Sequence, residues 1–328
     1  MNNRFISVFF LLLTVSAITA KAQTKFQALN FLYQISGKQT IGGIHNKEPN
    51  ATPARWTNKV DSVTGHYPGL WSGDFLFEQD NIDNRQLMVN EALREWKKGA
   101  IINIMWHACN PAMLEPCGWN ASGVLSKLTD DQWKEITTDG TPLNKVWKQR
   151  VDEVCVYLQF LKDNGVEVLW RPMHEMNQGA FWWGGRPGPD GTLKLYRMLH
   201  DYMTNVKKLD NLIWIWDMQD FNTLATDVNV YNPGDKYWDV AALDVYSNDT
   251  GYSQEKYNIM LATAKNKPMA IGECEKLPTP QQLQAQPKWT FFMCWSELTF
   301  KSNTIDDIKA SYTAPNVLTL DKMPGWKN

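Results

Sequence analysis

Short apolar runs alternate along this chain with longer stretches in which apolar residues return at helical spacing. Eight such runs stand out, at 40–44, 69–73, 100–106, 166–171, 212–216, 240–243, 269–272 and 291–294. Runs of four to seven residues bounded by turn or polar positions suit strands buried on both faces. Between them, Val151, Val154, Leu158 and Leu161 within 146–161 recur at helical spacing, and 193–206 reads the same way. Strict strand–helix alternation predicts a parallel sheet of the α/β class, and eight repeats predict its closure into a (β/α)8 TIM barrel forming a single domain. Residues 302–328 read as a last helix and tail. A doubly wound open sheet also alternates, but it wants a glycine-rich phosphate loop after the first strand. Gly42-Gly43 lacks the G-x-G-x-x-G spacing and the helix start, so the pair reads as a turn with room for a close neighbour.

Composition narrows the class. The chain has 328 residues, 43% of them hydrophobic, enough for a sizeable core. Its 33 basic and 35 acidic residues leave no positive field for nucleic acid or for an anionic membrane. Sixteen Trp is a heavy load, since each indole needs a packing partner in the core or on a ligand. Residues 1–22 carry Arg4, an apolar run from Phe5 to Val15 and the small-x-small pattern Ala20-Lys21-Ala22, which predicts a signal peptide cleaved before Gln23. Cleavage after Ala20 is the alternative. The apolar stretch is short for a membrane anchor. The expectation is therefore a secreted or periplasmic protein, with residues 23–328 as its catalytic domain, no membrane span in its mature form, and a monomeric state. Removing 1–22 takes away Arg4 and Lys21 and no acid, so 31 basic residues face 35 acidic ones and the charge becomes −4.

The five cysteines, at 109, 117, 155, 274 and 294, are an odd count for an exported chain, so at least one thiol is free or pairs between molecules. Cys109 and Cys117 are placed to close a short loop, and a free pair is the equal alternative. Cys155, Cys274 and Cys294 read as small buried hydrophobes.

Each apolar run ends in a residue able to do chemistry: His45, Asp74, His107, the pair His174-Glu175, Asp217, Asp244 with Tyr246, Glu273 and Trp295. In a barrel of this kind these ends share one face, where active sites form. Arg171, His174 and Glu175 at the end of a buried strand must bond one another or face a cleft, because burying them unpaired would cost several kcal/mol. A barrel-mouth ion pair without chemistry is the plain alternative. Glu273 supplies a second carboxylate at the end of the seventh run, and two carboxylates across a narrow gap are what retaining glycoside hydrolysis needs. Glu275, two residues on, is the rival nucleophile. His45, His107 and His174 would be three histidines at one barrel mouth, but no His-x-His pair or carboxylate ligand spacing accompanies them, so no metal and no cofactor are expected. Ser72 has no G-x-S-x-G context.

These segments together resemble glycoside hydrolase family 26, best known for endo-β-1,4-mannanases. The resemblance runs from Ile41-Gly42-Gly43-Ile44-His45 through Trp106-His107-x-x-Asn110-Pro111, Arg171-Pro172-x-His174-Glu175-Met176-Asn177 and Phe181-Trp182-Trp183-Gly184. It continues through Pro233-Gly234-Asp235 and Asp244-x-Tyr246 to Ile271-Gly272-Glu273. It implies Glu175 as general acid/base and Glu273 as nucleophile. It further implies His107, Arg171, His174 and Tyr246 around the sugar, and Trp295 as the floor on which the sugar stacks; of the adjacent Trp182 and Trp183, taken as substrate-binding candidates, one is expected to stack on sugar and the other to pack the loop after the fourth strand. The implied activity is retaining cleavage of β-1,4-mannosidic bonds in mannan or manno-oligosaccharides. The alternatives are β-1,3-xylan or mixed-linkage β-glucan as substrate, or a non-catalytic carbohydrate-binding protein on the same scaffold. The chain departs from the family pattern at Gln178, where glycine is usual, and at Ala180, where a Trp is usual, so an aromatic wall near the cleavage point is missing or comes from elsewhere.

Overall fold

The computed structural model describes residues 24–47, 49–246 and 252–326; the predicted signal peptide lies outside them. Eight parallel strands close on themselves: β1 (Thr40–His45), β2 (Leu70–Asp74), β3 (Ile101–Trp106), β4 (Val168–Pro172), β5 (Leu212–Gln219), β6 (Val240–Val245), β7 (Met269–Cys274) and β8 (Trp289–Cys294). Each pairs in parallel with the next, and β8 pairs back onto β1 at Ile41↔Phe291 through Ile44↔Cys294. The predicted (β/α)8 barrel is the observed one. All eight strands are buried along their whole length, because helices cover the outer face while side chains fill the inside.

The strand tryptophans serve the outer layer. Trp106 stacks on Trp147 of the helix Pro142–Asp163 with rings 5.5 Å apart, Trp214 meets the edge of Tyr196 at 5.7 Å, and Trp216 lies 5.5 Å from Trp238. Helix starts are written locally, with Thr129/Gln132, Thr279/Gln282 and Thr304/Asp307 forming reciprocal capping boxes. Among the described residues, no helix is long and apolar enough to cross a membrane.

Three expectations are corrected. Gly42-Gly43 is no turn but lies mid-strand in β1, where the expected close neighbours are real: a Cβ on Gly43 would come within 2.8 Å of Leu70 and 2.9 Å of the Phe292 carbonyl. The segment 193–206 is an α-helix only over Thr192–Asp201, followed by a π turn at Tyr202–Val206. The tail also holds a short ninth strand, β9 (Val317–Leu318), on the edge of β1 that β2 leaves free: β9 takes Thr40 and Ile41, β2 takes Gly43 to His45. A two-residue strand has no periodicity to read; its pairing comes from where the barrel leaves an open edge.

Cys109 and Cys117 are bridged, which settles the open alternative, and Cys155, Cys274 and Cys294 are buried free thiols.

Candidate active site

The carboxyl ends of the strands surround a cavity of about 380 Å³, and Glu175 and Glu273 both line it, together with His107, His174, Tyr246 and Trp295. Glu175 stands three residues beyond β4 on a left-handed backbone (φ 51°), as does Met173 (φ 50°). Such a conformation costs a non-glycine residue on the order of 1–3 kcal/mol and persists only where the surroundings impose it. Asp217 imposes it here: its Oδ2 accepts the Glu175 N–H at 2.9 Å, and its carbonyl accepts the Met176 N–H at 3.3 Å. The Glu175 carboxylate faces two side-chain amides. Gln219 Nε2 donates to Oε1 at 2.8 Å and Gln178 Nε2 donates to Oε2.

Glu273 belongs to β7 itself and is held at both oxygens. Arg171 Nη1 donates to Oε1 at 2.7 Å and the Tyr246 hydroxyl donates to Oε2 at 2.7 Å. The other end of the Arg171 fork reaches Asp217 Oδ2 at 2.8 Å and also Asp244. Arg171 is wholly buried, so it does not line the cavity but sits beneath it as the shared cation of three acids. This layer requires a glycine next to Glu273. A Cβ on Gly272 would lie 2.6 Å from Asp244 Oδ1 and 2.7 Å from Asp217 Oδ1.

Four carboxyl groups around one guanidinium cannot all ionise at low cost. Burial pushes Glu175 well above the usual carboxylate range, and the charges of Glu273 and Asp217 push it further. Burial likewise raises Asp244 well above its ordinary value against the pull of Arg171. Burial raises Glu273 too, but Arg171 and the Tyr246 hydroxyl oppose it directly. The two cavity carboxylates are thus driven apart, with Glu273 the easier to ionise and Glu175 the one that keeps its proton. Oxygens of Glu175, Asp244 and Glu273 lie within 4.8 Å of one another.

Opposite them, His107 Nδ1 lies 2.5 Å from Asp74 Oδ2, and its backbone N–H donates to Asp74 Oδ1 at 3.0 Å. Burial alone would raise Asp74, but His107 and His45 outweigh it and hold the carboxyl at about 2. The His174 ring packs 4.4 Å from that of His107, and burial first, then the nearby His107 and the Arg171 guanidinium, push it well below the ordinary histidine value. Burial also pushes His45 down to about 3; it bonds Ser72 Oγ at 2.8 Å and stacks 4.2 Å from the Trp295 ring. The three histidines do not converge as metal ligands: the one cluster within ligand reach among the described residues is Glu175, Asp244 and Glu273.

Three residues expected around the sugar do not border the cavity: Arg171 lies beneath it, and Trp182 and Trp183 lie in the core. Trp182 and Trp183 are buried, at 2% and 1% exposure, and donate their indole N–H groups to the carbonyls of Ala108 and His174. Neither borders the cavity; Trp183 instead backs Phe181, with rings 4.4 Å apart and nearly parallel, and Phe181 is the lining residue. Glu275 is also outside it, because β7 ends at Cys274 and strand alternation stops there.

Asp74, Asp217 and Asp244 were legible as strand-end acids but not as the partners that hold His107, Glu175 and Arg171. Gln219 and Trp119 carry no sequence signal. Trp119 sits just past the Cys109–Cys117 bridge, half exposed, with its ring 5.7 Å from Phe181, and supplies cavity wall near Ala180.

Comparison with known proteins agrees with this fold. The model of glycosyl hydrolase family 26 matches residues 18–322. A mannan endo-1,4-beta-mannosidase of Thermothelomyces thermophilus is 31% identical over 312 residues; the match covers 91% of this chain, which spans only 61% of that relative's length. Among solved structures, the protein GH26A from a Muricauda species superposes with a TM-score of 0.84 at 36% identity, covering 90% of this chain and 95% of that one. A beta-mannanase from a symbiotic protist of the termite Reticulitermes speratus, solved with a gluco-manno-oligosaccharide, gives 0.78 at 28%, covering 90% and 93%. Matched by the family model along nearly its whole length and carrying the same barrel, the chain belongs to glycosyl hydrolase family 26.

Proposed function

We propose that this protein hydrolyses β-1,4-mannosidic bonds in mannan-type polysaccharides by double displacement, with retention at the anomeric carbon. The observation that carries the reading is the pair of carboxylates, Glu175 and Glu273, brought from distant strands to one cavity with oxygens inside 4.8 Å. That spacing is on the short side, as in enzymes whose second carboxylate acts as a nucleophile, and supports a nucleophile rather than a base acting across a wide gap. The relatives that match along most of the chain are mannanases, which supports mannan as the substrate. Residues 23–328 form the catalytic domain of an exported, monomeric enzyme, and residues 1–22 direct its export.

In the first step Glu175, protonated, donates to the departing glycosidic oxygen while Glu273 attacks the anomeric carbon. The C–O bond breaks as the glycosyl–Glu273 ester forms. In the second step ionised Glu175 takes a proton from water, which attacks the same carbon and releases Glu273. Tyr246 and Arg171 orient the nucleophile, and Trp295 offers a flat apolar face to the sugar.

Proton NMR of the first turnovers on a manno-oligosaccharide tests this directly. The β-anomer should appear first and mutarotate later; early α-anomer would overturn the double displacement. Trp295→Ala should lower kcat/KM about fivefold or more, equivalent to roughly 1 kcal/mol of lost stacking, with the fold retained. Unchanged kinetics would make Trp295 a packing residue.

A further inference from the structure

The Glu175 carboxylate meets two glutamines that differ in freedom. Gln219 is buried and its amide orientation is locked: Oε1 accepts the Asp220 N–H at 3.0 Å, so Nε2 must face Glu175 Oε1. Its backbone is clamped by Asn177, which accepts from its N–H at 2.8 Å and donates to its carbonyl at 3.0 Å. Oε1 of Glu175 therefore faces a donor in either protonation state, and the acid proton belongs on Oε2. Oε2 is the oxygen that Gln178 covers. The Gln178 backbone is pinned, its N–H bonded to the Glu175 carbonyl at 2.9 Å, while Lys127 Nζ grips the next two carbonyls, Gly179 and Ala180, from outside. Among the described residues its side chain has no second polar partner, and it borders the open cavity and is half-buried.

We propose that Gln178 is a positioning residue for the acid/base: its amide donates to Oε2 of ionised Glu175 and withdraws from that oxygen when the glycosidic oxygen arrives. The inference rests on the assignment of Glu175 as acid/base. In the free enzyme a donor on Oε2 favours the ionised form, and Gln178 works against the groups that hold Glu175 protonated. Those groups are burial and the negative charges of Glu273 from β7, Asp217 from β5 and Asp220 just beyond it, with Asp244 of β6 a further buried acid whose own carboxyl is raised. Arg171 of β4 pulls with Gln178, and the Tyr246 hydroxyl, the rings of His107 and His174, Lys47 and Glu78 are the other titratable groups of the cavity lining. With Gln178 removed, Glu175 should keep its proton to higher pH.

The test is the pH dependence of kcat/KM on a manno-oligosaccharide for the wild type, Gln178→Ala and Gln178→Glu. In Gln178→Ala the alkaline limb should move up by roughly one unit while the acid limb, set by Glu273, stays within a few tenths. Gln178→Glu should move it further, because a second carboxyl shares the proton. An unmoved alkaline limb in both variants, or a downward shift in Gln178→Ala, overturns the role of Gln178. Glu175→Ala separates this from failure of the underlying assignment. On a substrate with a dinitrophenol leaving group its alkaline limb should vanish. Survival of that limb would show that it does not belong to Glu175, and both readings would fall together.

Discussion

Glu175→Ala should slow hydrolysis of mannan by roughly two to four orders of magnitude, while a dinitrophenyl manno-oligosaccharide should still form the glycosyl-enzyme. The natural leaving group is a sugar alkoxide that needs a proton as the bond breaks; dinitrophenolate leaves without one. Hydrolysis of the intermediate then stalls for want of a base, and azide, which needs no base, should restore turnover and give a β-mannosyl azide. Glu273→Ala has lost the attacking atom, so both substrates should fail, and a small anion should at best attack from the opposite face to give an α-product. Glu275→Ala is the control and should keep most activity, since Glu275 lies beyond the end of β7 and outside the cavity. Azide rescue appearing in the Glu273 variant with retained stereochemistry would reverse the two roles.

Arg171→Met should destabilise the protein by about 3–5 kcal/mol and abolish activity, because it strips the cation from Asp217, Asp244 and Glu273 in a layer closed to solvent. For a domain of this size that corresponds to a thermal midpoint lower by on the order of 10 °C. The pH dependence carries the electrostatic signature. Without the guanidinium, the folded-state pKa values of Asp244 and Glu273, which burial already raises, rise further above their unfolded values. The folded form then holds more protons, so stability is present at low pH and lost as pH rises through the folded values. The deficit against wild type should therefore be smaller near pH 5 than near pH 8. Arg171→Lys keeps the charge but not the fork that reaches three carboxylates, and should fall between the two. A deficit independent of pH would mean that packing around Arg171, not its charge, is what matters.

Strand-end chemistry was readable in the chain because a residue that terminates a buried apolar run in a closed parallel barrel has only one place to go. Glu175, Glu273, His107, His174, Tyr246 and Trp295 were found this way and all line the cavity. Trp182 and Trp183 were read as one sugar-stacking and one packing residue, but both are buried off the cavity: a Trp suits a sugar face and a core equally well, and the sequence holds no information on which carbonyl each N–H will find. Here Ala108 and His174 took them.

By itself, the sequence determined the alternation that closes the barrel, the order in which its chemistry-bearing residues reach one rim, and the two carboxylates among them, since burial periodicity and strand termination are local properties. Only the tertiary structure decided how these groups are charged and held. The Arg171 fork under Glu273, the Asp217 carboxylate that imposes the backbone of Glu175, the Gln219 and Gln178 amides on its two oxygens, and the wall that Trp119 lends near Ala180 all join residues from different strands and loops. Desolvation and hydrogen-bond direction set proton affinity, and both depend on what surrounds a group in space rather than on what precedes it along the chain.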